Sequence, residues 1–370
     1  MLGSREDLNW LIGQVNGEIG NSHTYVGGGD DGDTTPQVHP GLLGVDWAAD
    51  QASGRYRIAA IYPGDNTRED YRSPLSEPGL RVKAGDYVLS INGVDLHAPA
   101  TPDNLLQLTD DKQPVDLGIA DSAGGAVRHI VVKPVAKEIH LREQAWIDGN
   151  RATVDRLSGG RVGYVYMSDM EQLGLQQFVR QFYSQLDKQA LIMDDRWNGG
   201  GFVAPMALER LRRVLVSLGT NREAAPSTEP NEMIGGPKIT LLNHWSASDG
   251  DIFPWLFRRY GLGKLLGTRS WGGVRGIRGN WAMMDGGFVT IPEDALYTPD
   301  SVWAVENHGV DPDIVVENEP ADLLSGHDKQ LETAVDLMVK AIGNSPAGLP
   351  PPPPLIPAYP PAGVVPPKPE

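Results

Sequence analysis

Residues 238–260, KITLLNHWSASDGDIFPWLFRRY, set an apolar strand, KITLLNH, directly before a helical segment, GDIFPWLFRRY, with Ser248 at the junction and Gly261 to end the helix. A hydroxyl at such a junction is exposed at the carboxyl end of a parallel sheet, where open α/β folds place their ligands. The helix N-terminus adds unpaired N–H groups and a partial positive charge that favour a developing alkoxide or oxyanion. The plainer reading is that Ser248 is the helix N-cap, a position where Ser is common.

Working outward, strands and helices alternate: RVGYVYMS, a helix through Phe178, QALIMDD, a helix through Val214, KITLLNH, and a helix through Tyr260. This alternation predicts an α/β catalytic domain over 137–344, with βαβ units on a parallel sheet. Strands KLLGTR and GGFVTIP and a last helix around Gln330 to Ile342 complete it. Upstream, apolar residues Leu8, Leu11, Ile12, Val15 and Ile19 recur at helical spacing. They predict a helical segment within 1–35, followed by a loop at Gly27 to Asp33.

Residues 36–136 read as short β-segments (LLGVDW, RYRIAAIY, YVLSING, VDLGIA, VRHIVVKP). Within them SPLSEPGLRVKAGDYVLSINGVDL has the arrangement of a PDZ domain, a short helix leading to a strand that ends in an Ile-Asn-Gly turn. Such a domain adds a peptide to a sheet edge and holds its terminal carboxylate on loop amides. Gly41, Leu42, Leu43 and Gly44 fall where that loop should lie, although the same domain also serves as a spacer without a ligand. At the end, 12 of the 26 residues from Ser345 to Glu370 are Pro. That segment predicts a disordered extended tail, either a linker or a docking site for a Pro-binding partner.

A second loop, MDDRWNGGGFV, places Asn198 and three glycines between an apolar strand and a helix. Glycines let the backbone approach a substrate and aim its N–H groups inward. An oxyanion hole suits this loop better than a phosphate cradle, since GxxxxGK[ST] and GxGxxG are both absent. A serine also needs a base, and the base an orienting partner. His23, in Asn21-Ser22-His23-Thr24, and Glu306, in VENHGV, are candidates, but a spacing of more than two hundred residues carries no information on whether they meet.

These stretches resemble the tricorn proteases in order: the GNSHTYVGG start after a helix, the PDZ-like insert, MDDRWNGGGFV, SASDGD paired with WGGVRG, then VENHGVDPDI and HDKQLETAV. The likeness is collinear over roughly residues 6–340. It implies a crotonase/ClpP-like parallel-sheet serine protease domain in the clan of C-terminal processing peptidases (S41), with an inserted β-rich PDZ-like domain. It implies Ser248 as nucleophile, His23 as general base, and Ser22 with Glu306 as its relay, a tetrad in place of a triad. The oxyanion hole would be the amides of Asp249 and of Gly199 or Gly200. The expected activity is that of a serine endopeptidase on oligopeptides, in a homo-oligomer, hexameric by the resemblance, with no metal or organic cofactor. The wider clan also uses a Ser-Lys dyad, for which Lys264 is the available lysine. Nothing here resembles the β-propellers of the longer tricorn chains, so a catalytic fragment or a short relative is expected. The rival from another class is a non-catalytic PDZ-type peptide-binding protein.

Composition narrows the field. A formal net charge of −16 disfavours nucleic acid and anionic membrane as partners. The absence of Cys excludes disulfides, thiolate metal sites and a cysteine nucleophile. HExxH is absent, no run of about 18 apolar residues marks a membrane span, and the charged N-terminus is unlike a signal peptide. A cytoplasmic peptidase is the resulting expectation.

Overall fold

A computed structural model describes residues 2–30, 40–107, 113–345 and 348–354. His39, the second half of the Gly27–Asp33 loop, the boundary at 36 and the Pro-rich tail from 355 onward lie outside these. The chain divides into two compact units, Met1–Asp31 with Arg151–Glu370, and Gly32–Asn150.

The larger unit is built on a five-stranded parallel sheet in the order Ile314–Val315, Gly263–Gly267, Lys238–Leu242, Ala190–Asp194, Val162–Tyr166. The last three of these strands are buried along their whole length, as expected of a sheet covered on both faces. Helices Gln172–Tyr183, Ala204–Leu211, Asp249–Arg259 and Lys329–Ile342 cover it. The last is capped by Asp328, whose carboxylate accepts from the Leu331 amide at 3.0 Å. The fully buried Arg196 guanidinium joins that cap to the sheet. Its Nε and Nη2 meet the two oxygens of Asp194 at 2.9 and 2.6 Å, and Nη1 meets Asp328 at 2.8 Å.

Three elements depart from the sequence reading. Gly27 and Gly28, read as loop, belong to the strand Val26–Gly28, which pairs antiparallel with Gly287–Asp294. Their lack of side chains permits the pairing, since a Cβ on Gly27 would stand 2.9 Å from the Phe288 ring. Helix Ile139–Ser158 has no counterpart in the expected elements, because its buried Leu141, Ile147 and Val154 are thinly spread among polar residues. The helix Arg5–Ile19 is present and starts in a capping box at Ser4, but its apolar face contains no buried residue.

The smaller unit is an antiparallel sheet in the order Val45–Asp50, Arg55–Ile61, Tyr87–Ile91, Val115–Ala120, Arg128–Val132, closed around Leu43, Ile58, Val88, Leu96, Leu117 and Ile119. The Ile-Asn-Gly turn is present, with φ of 50° at Asn92 and 77° at Gly93, the left-handed pair that a tight two-residue hairpin requires. The short helix expected before it is a single 3₁₀ turn, Pro74–Ser76.

Candidate active site

Ser248 sits at the carboxyl end of the central strand, on the turn into helix Asp249–Arg259. Its φ of 57° and ψ of −118° are an uncommon conformation for a residue with a Cβ, and strain of this kind gathers at functional sites. Although Ser248 is in the N-cap position, its hydroxyl makes no capping hydrogen bond. The plain capping role therefore does not account for it. The Asn198–Gly201 loop rests on this turn: Asn198 carbonyl accepts from the Ala247 amide at 2.9 Å. Gly200, at φ 89°, lies against the serine, since a Cβ there would stand 2.5 Å from Ser248 Cβ and 3.0 Å from the Asp249 amide nitrogen. The Gly200 amide donates to Asn198 Oδ1 at 2.9 Å, whereas that of Gly199 donates to the Ser168 carbonyl at 3.1 Å. Gly200→Ala is expected to lower the melting temperature, because its Cβ would press on Ser248 and the Ala247 carbonyl at a φ that favours glycine. It should slow covalent labelling of Ser248 by about 10²-fold, because a displacement near 1 Å at a reacting centre has that effect.

A second cluster joins residues 284 apart. Glu306 Oε1 accepts from the Ser22 amide at 2.8 Å, and Oε2 accepts from the Ser22 hydroxyl at 3.1 Å and the Val274 amide at 2.8 Å. Ser22 Oγ lies 3.2 Å from His23 Nδ1 and accepts from the Arg275 amide at 3.2 Å. A carboxylate only accepts, so the single hydroxyl proton of Ser22 goes to Glu306 and the imidazole must donate through Nδ1–H. That tautomer leaves Nε2 as an unprotonated acceptor. Burial lowers the His23 pKa, against the charge of Glu306 and the Arg275 amide, which raise it. The ring lies edge-on between Tyr25 and Trp271, each with a centroid 5.8 Å away. Its backbone is tied down by Thr290, whose Oγ1 donates to the His23 carbonyl at 2.5 Å and accepts from the Tyr25 amide at 2.7 Å.

The strip Ser270–Arg275 runs between the two clusters. Trp271 amide donates to the Ser246 carbonyl at 2.9 Å, and Gly272 amide to Asp251 Oδ1 at 2.8 Å. Val274 and Arg275 then reach Glu306 and Ser22. Among the described residues no hydrogen bond joins His23 to Ser248, as is common in sites without substrate. Lys264 pairs with Ile239 at the start of the two central strands, whereas Ser248 follows their ends, so the lysine is at the wrong end for a dyad. Thr290, Val274 and Arg275 were not singled out in the sequence, where WGGVRG stood only as a pattern beside SASDGD. Backbone amides leave no mark in residue type.

The profile of peptidase family S41 matches residues 161–316, and that of the tricorn protease PDZ domain matches 41–137. The chain is 38% identical over 351 residues to tricorn protease homolog 1 of Streptomyces coelicolor, covering 94% of this chain and 32% of that one. It is 35% identical over 342 residues to the tricorn protease of Thermoplasma acidophilum, covering 92% and 31%. The crystal structure of the tricorn protease superposes with a TM-score of 0.85 at 34% identity, over 92% of this chain and 33% of that one. The chain belongs to the tricorn protease family. It spans about a third of the length of these relatives.

In the PDZ unit of this tricorn-type chain, three amides of the expected carboxylate loop, those of Gly41, Leu42 and Gly44, meet acceptors of the chain itself. Gly41 amide donates to the Leu106 carbonyl at 3.3 Å, Leu42 to the Val135 carbonyl at 2.8 Å, and Gly44 to Glu138 Oε2 at 3.0 Å. Glu138 is held in turn by Arg142. Fluorescence anisotropy with labelled peptides bearing free C-terminal carboxylates is therefore expected to show no saturable binding to the Ser248→Ala chain. Saturable binding would favour the peptide-binding reading.

Proposed function

We propose that this chain is the catalytic part of a serine endopeptidase that cleaves oligopeptides. The observation that supports this best is the Ser22–His23–Glu306 array, which the strip Ser270–Arg275 links to the turn of the strained, uncapped Ser248. In this reading His23 Nε2 removes the Ser248 Oγ proton as Oγ attacks the scissile carbonyl. The imidazolium then delivers that proton to the leaving amine. Glu306 acts on the imidazole through the Ser22 hydroxyl, keeping Nδ1–H in place and stabilising the positive charge that forms. The amides of Asp249 and Gly200 receive the oxyanion, with Gly200 turning from Asn198 Oδ1. Donors held for a charge that appears only in the transition state contribute about 10²–10³-fold each.

The hexameric state, the oligopeptide preference and a cytoplasmic setting come with the family resemblance. No helix among the described residues is long and apolar enough to cross a membrane. Light scattering that gives only monomer at all concentrations would remove the oligomer from the proposal.

The test is reaction with a fluorophosphonate probe followed by peptide mapping, which should place the adduct on Ser248. Neutral His23 is the active form, so labelling should fall as pH drops through the His23 pKa. Burial puts that midpoint below the ordinary 6.5. A folded chain labelled elsewhere would contradict the reading.

A further inference from the structure

Two buried carboxyl groups beneath Ser248 have no part in the proton transfers above. Asp195, just past the strand Ala190–Asp194, is enclosed completely, and neither of its carboxyl oxygens has a hydrogen-bond partner among the described residues. Asp251 is the third residue of the serine helix. Its Oδ1 takes the Gly272 amide, while its buried Oδ2 also lacks a partner. Burial raises the Asp195 pKa well above the ordinary range, helped by the charges of Asp251, Asp194 and Asp249. Asp194 is itself paired with Arg196. Burial also moves Asp251 up to about 6, against the Ser270 hydroxyl and the amides of Gly272, Ser248 and Gly273. An ionised carboxylate without donors is not sustained in such a place, whereas a neutral carboxyl carries one O–H. Asp251 Oδ2 is a buried acceptor without a donor, and Asp195 is joined to the same serine turn through its carbonyl, which accepts from Ser246 Oγ at 2.8 Å.

We propose that Asp195 is held as the neutral acid and donates to Asp251 Oδ2, and that Asp251, so fixed, is the positioning residue that ties the serine turn to the strip Ser270–Arg275. The inference rests on the serine-peptidase reading. An acid at the third helical position commonly caps the N-cap amide while the N-cap hydroxyl caps in return. Here the Ser248 hydroxyl makes no cap, and Asp251 Oδ1 takes the Gly272 amide of the strip. The same carboxylate holds the strip whose far end carries Glu306 and Ser22. One buried acid on the first turn of the serine helix thus fixes the strip that supports the base.

Asp195→Asn, Asp195→Ala and Asp251→Asn should be compared with wild type in the full chain, by fluorophosphonate inactivation kinetics across pH and by amide hydrogen exchange of 270–275. Asp195→Asn keeps the donor and should behave as wild type. Asp195→Ala and Asp251→Asn should lower the maximal inactivation rate about tenfold or more with little change in probe affinity, and amides 270–275 should exchange faster. A folded Asp195→Ala chain with wild-type kinetics and exchange would overturn the proposal, as would an Asp195→Asn as impaired as Asp195→Ala. If Asp195→Ala does not fold, unchanged exchange in Asp251→Asn overturns it. If wild type takes no label, exchange alone decides: faster in Asp195→Ala but not in Asp195→Asn sustains the positioning pair while the peptidase reading falls.

Discussion

Ser248→Ala should lower kcat on an internally quenched oligopeptide by roughly 10⁴–10⁶-fold with KM little changed, since the hydroxyl acts only after substrate is bound. His23→Ala should fall by a similar factor, and the double variant should be little worse than either single one, because on the proposed mechanism Ser248 and His23 act as one unit. Ser22→Ala provides the graded member of the series. It leaves Ser248 and His23 intact but removes the hydroxyl that links Glu306 to Nδ1, so its loss should be smaller. Additive losses in Ser248→Ala and His23→Ala would mean that the two do not share a step.

Arg196→Ala should be the most destabilising single substitution described here, at about 3–5 kcal/mol in urea unfolding. It would leave Asp194, itself fully buried, and the largely buried Asp328 without their cation. Burial raises the Asp328 pKa, but the Arg196 charge, the Leu331 amide and Asn318 together hold it below the ordinary 3.8. A carboxylate with a depressed native pKa contributes stability above its unfolded pKa and loses it as pH falls through the native one. The gap between wild type and Arg196→Ala should therefore narrow below about pH 3.8. Combining Arg196→Met with Asp194→Asn and Asp328→Asn should restore much of the stability at neutral pH, since a matched uncharged set leaves no buried charge unpaired.

Parts of the fold that follow from local chemistry were legible in the sequence. Short runs dominated by apolar residues, such as ALIMD and KITLL, do not alternate in polarity, and the helices between them carry a one-sided apolar face, so a parallel βαβ sheet follows. Ser248 was legible for the same reason, as the polar residue at a strand-to-helix turn. The meeting of Ser22, His23 and Glu306 was not, because it depends on Val26–Gly28 entering a sheet with Gly287–Asp294, and a strand of Val-Gly-Gly has no strand signal of its own. Only the family resemblance indicated it. Asp195 and Asp251 were equally hidden, since Asp in a turn is ordinarily solvated, and only their enclosure makes them unusual.

Ser22 and Glu306 lie 284 positions apart, with Ser248 between them in sequence. A chain emerging from the ribosome displays His23 first, then Ser248, and acquires Glu306 and the Gly287–Asp294 strand only afterwards. Every incomplete chain thus lacks the parts that orient its own base. On the proposed mechanism, no separate inhibitor is needed to keep a nascent peptidase harmless to its neighbours, because the order of synthesis withholds activity until the larger unit closes.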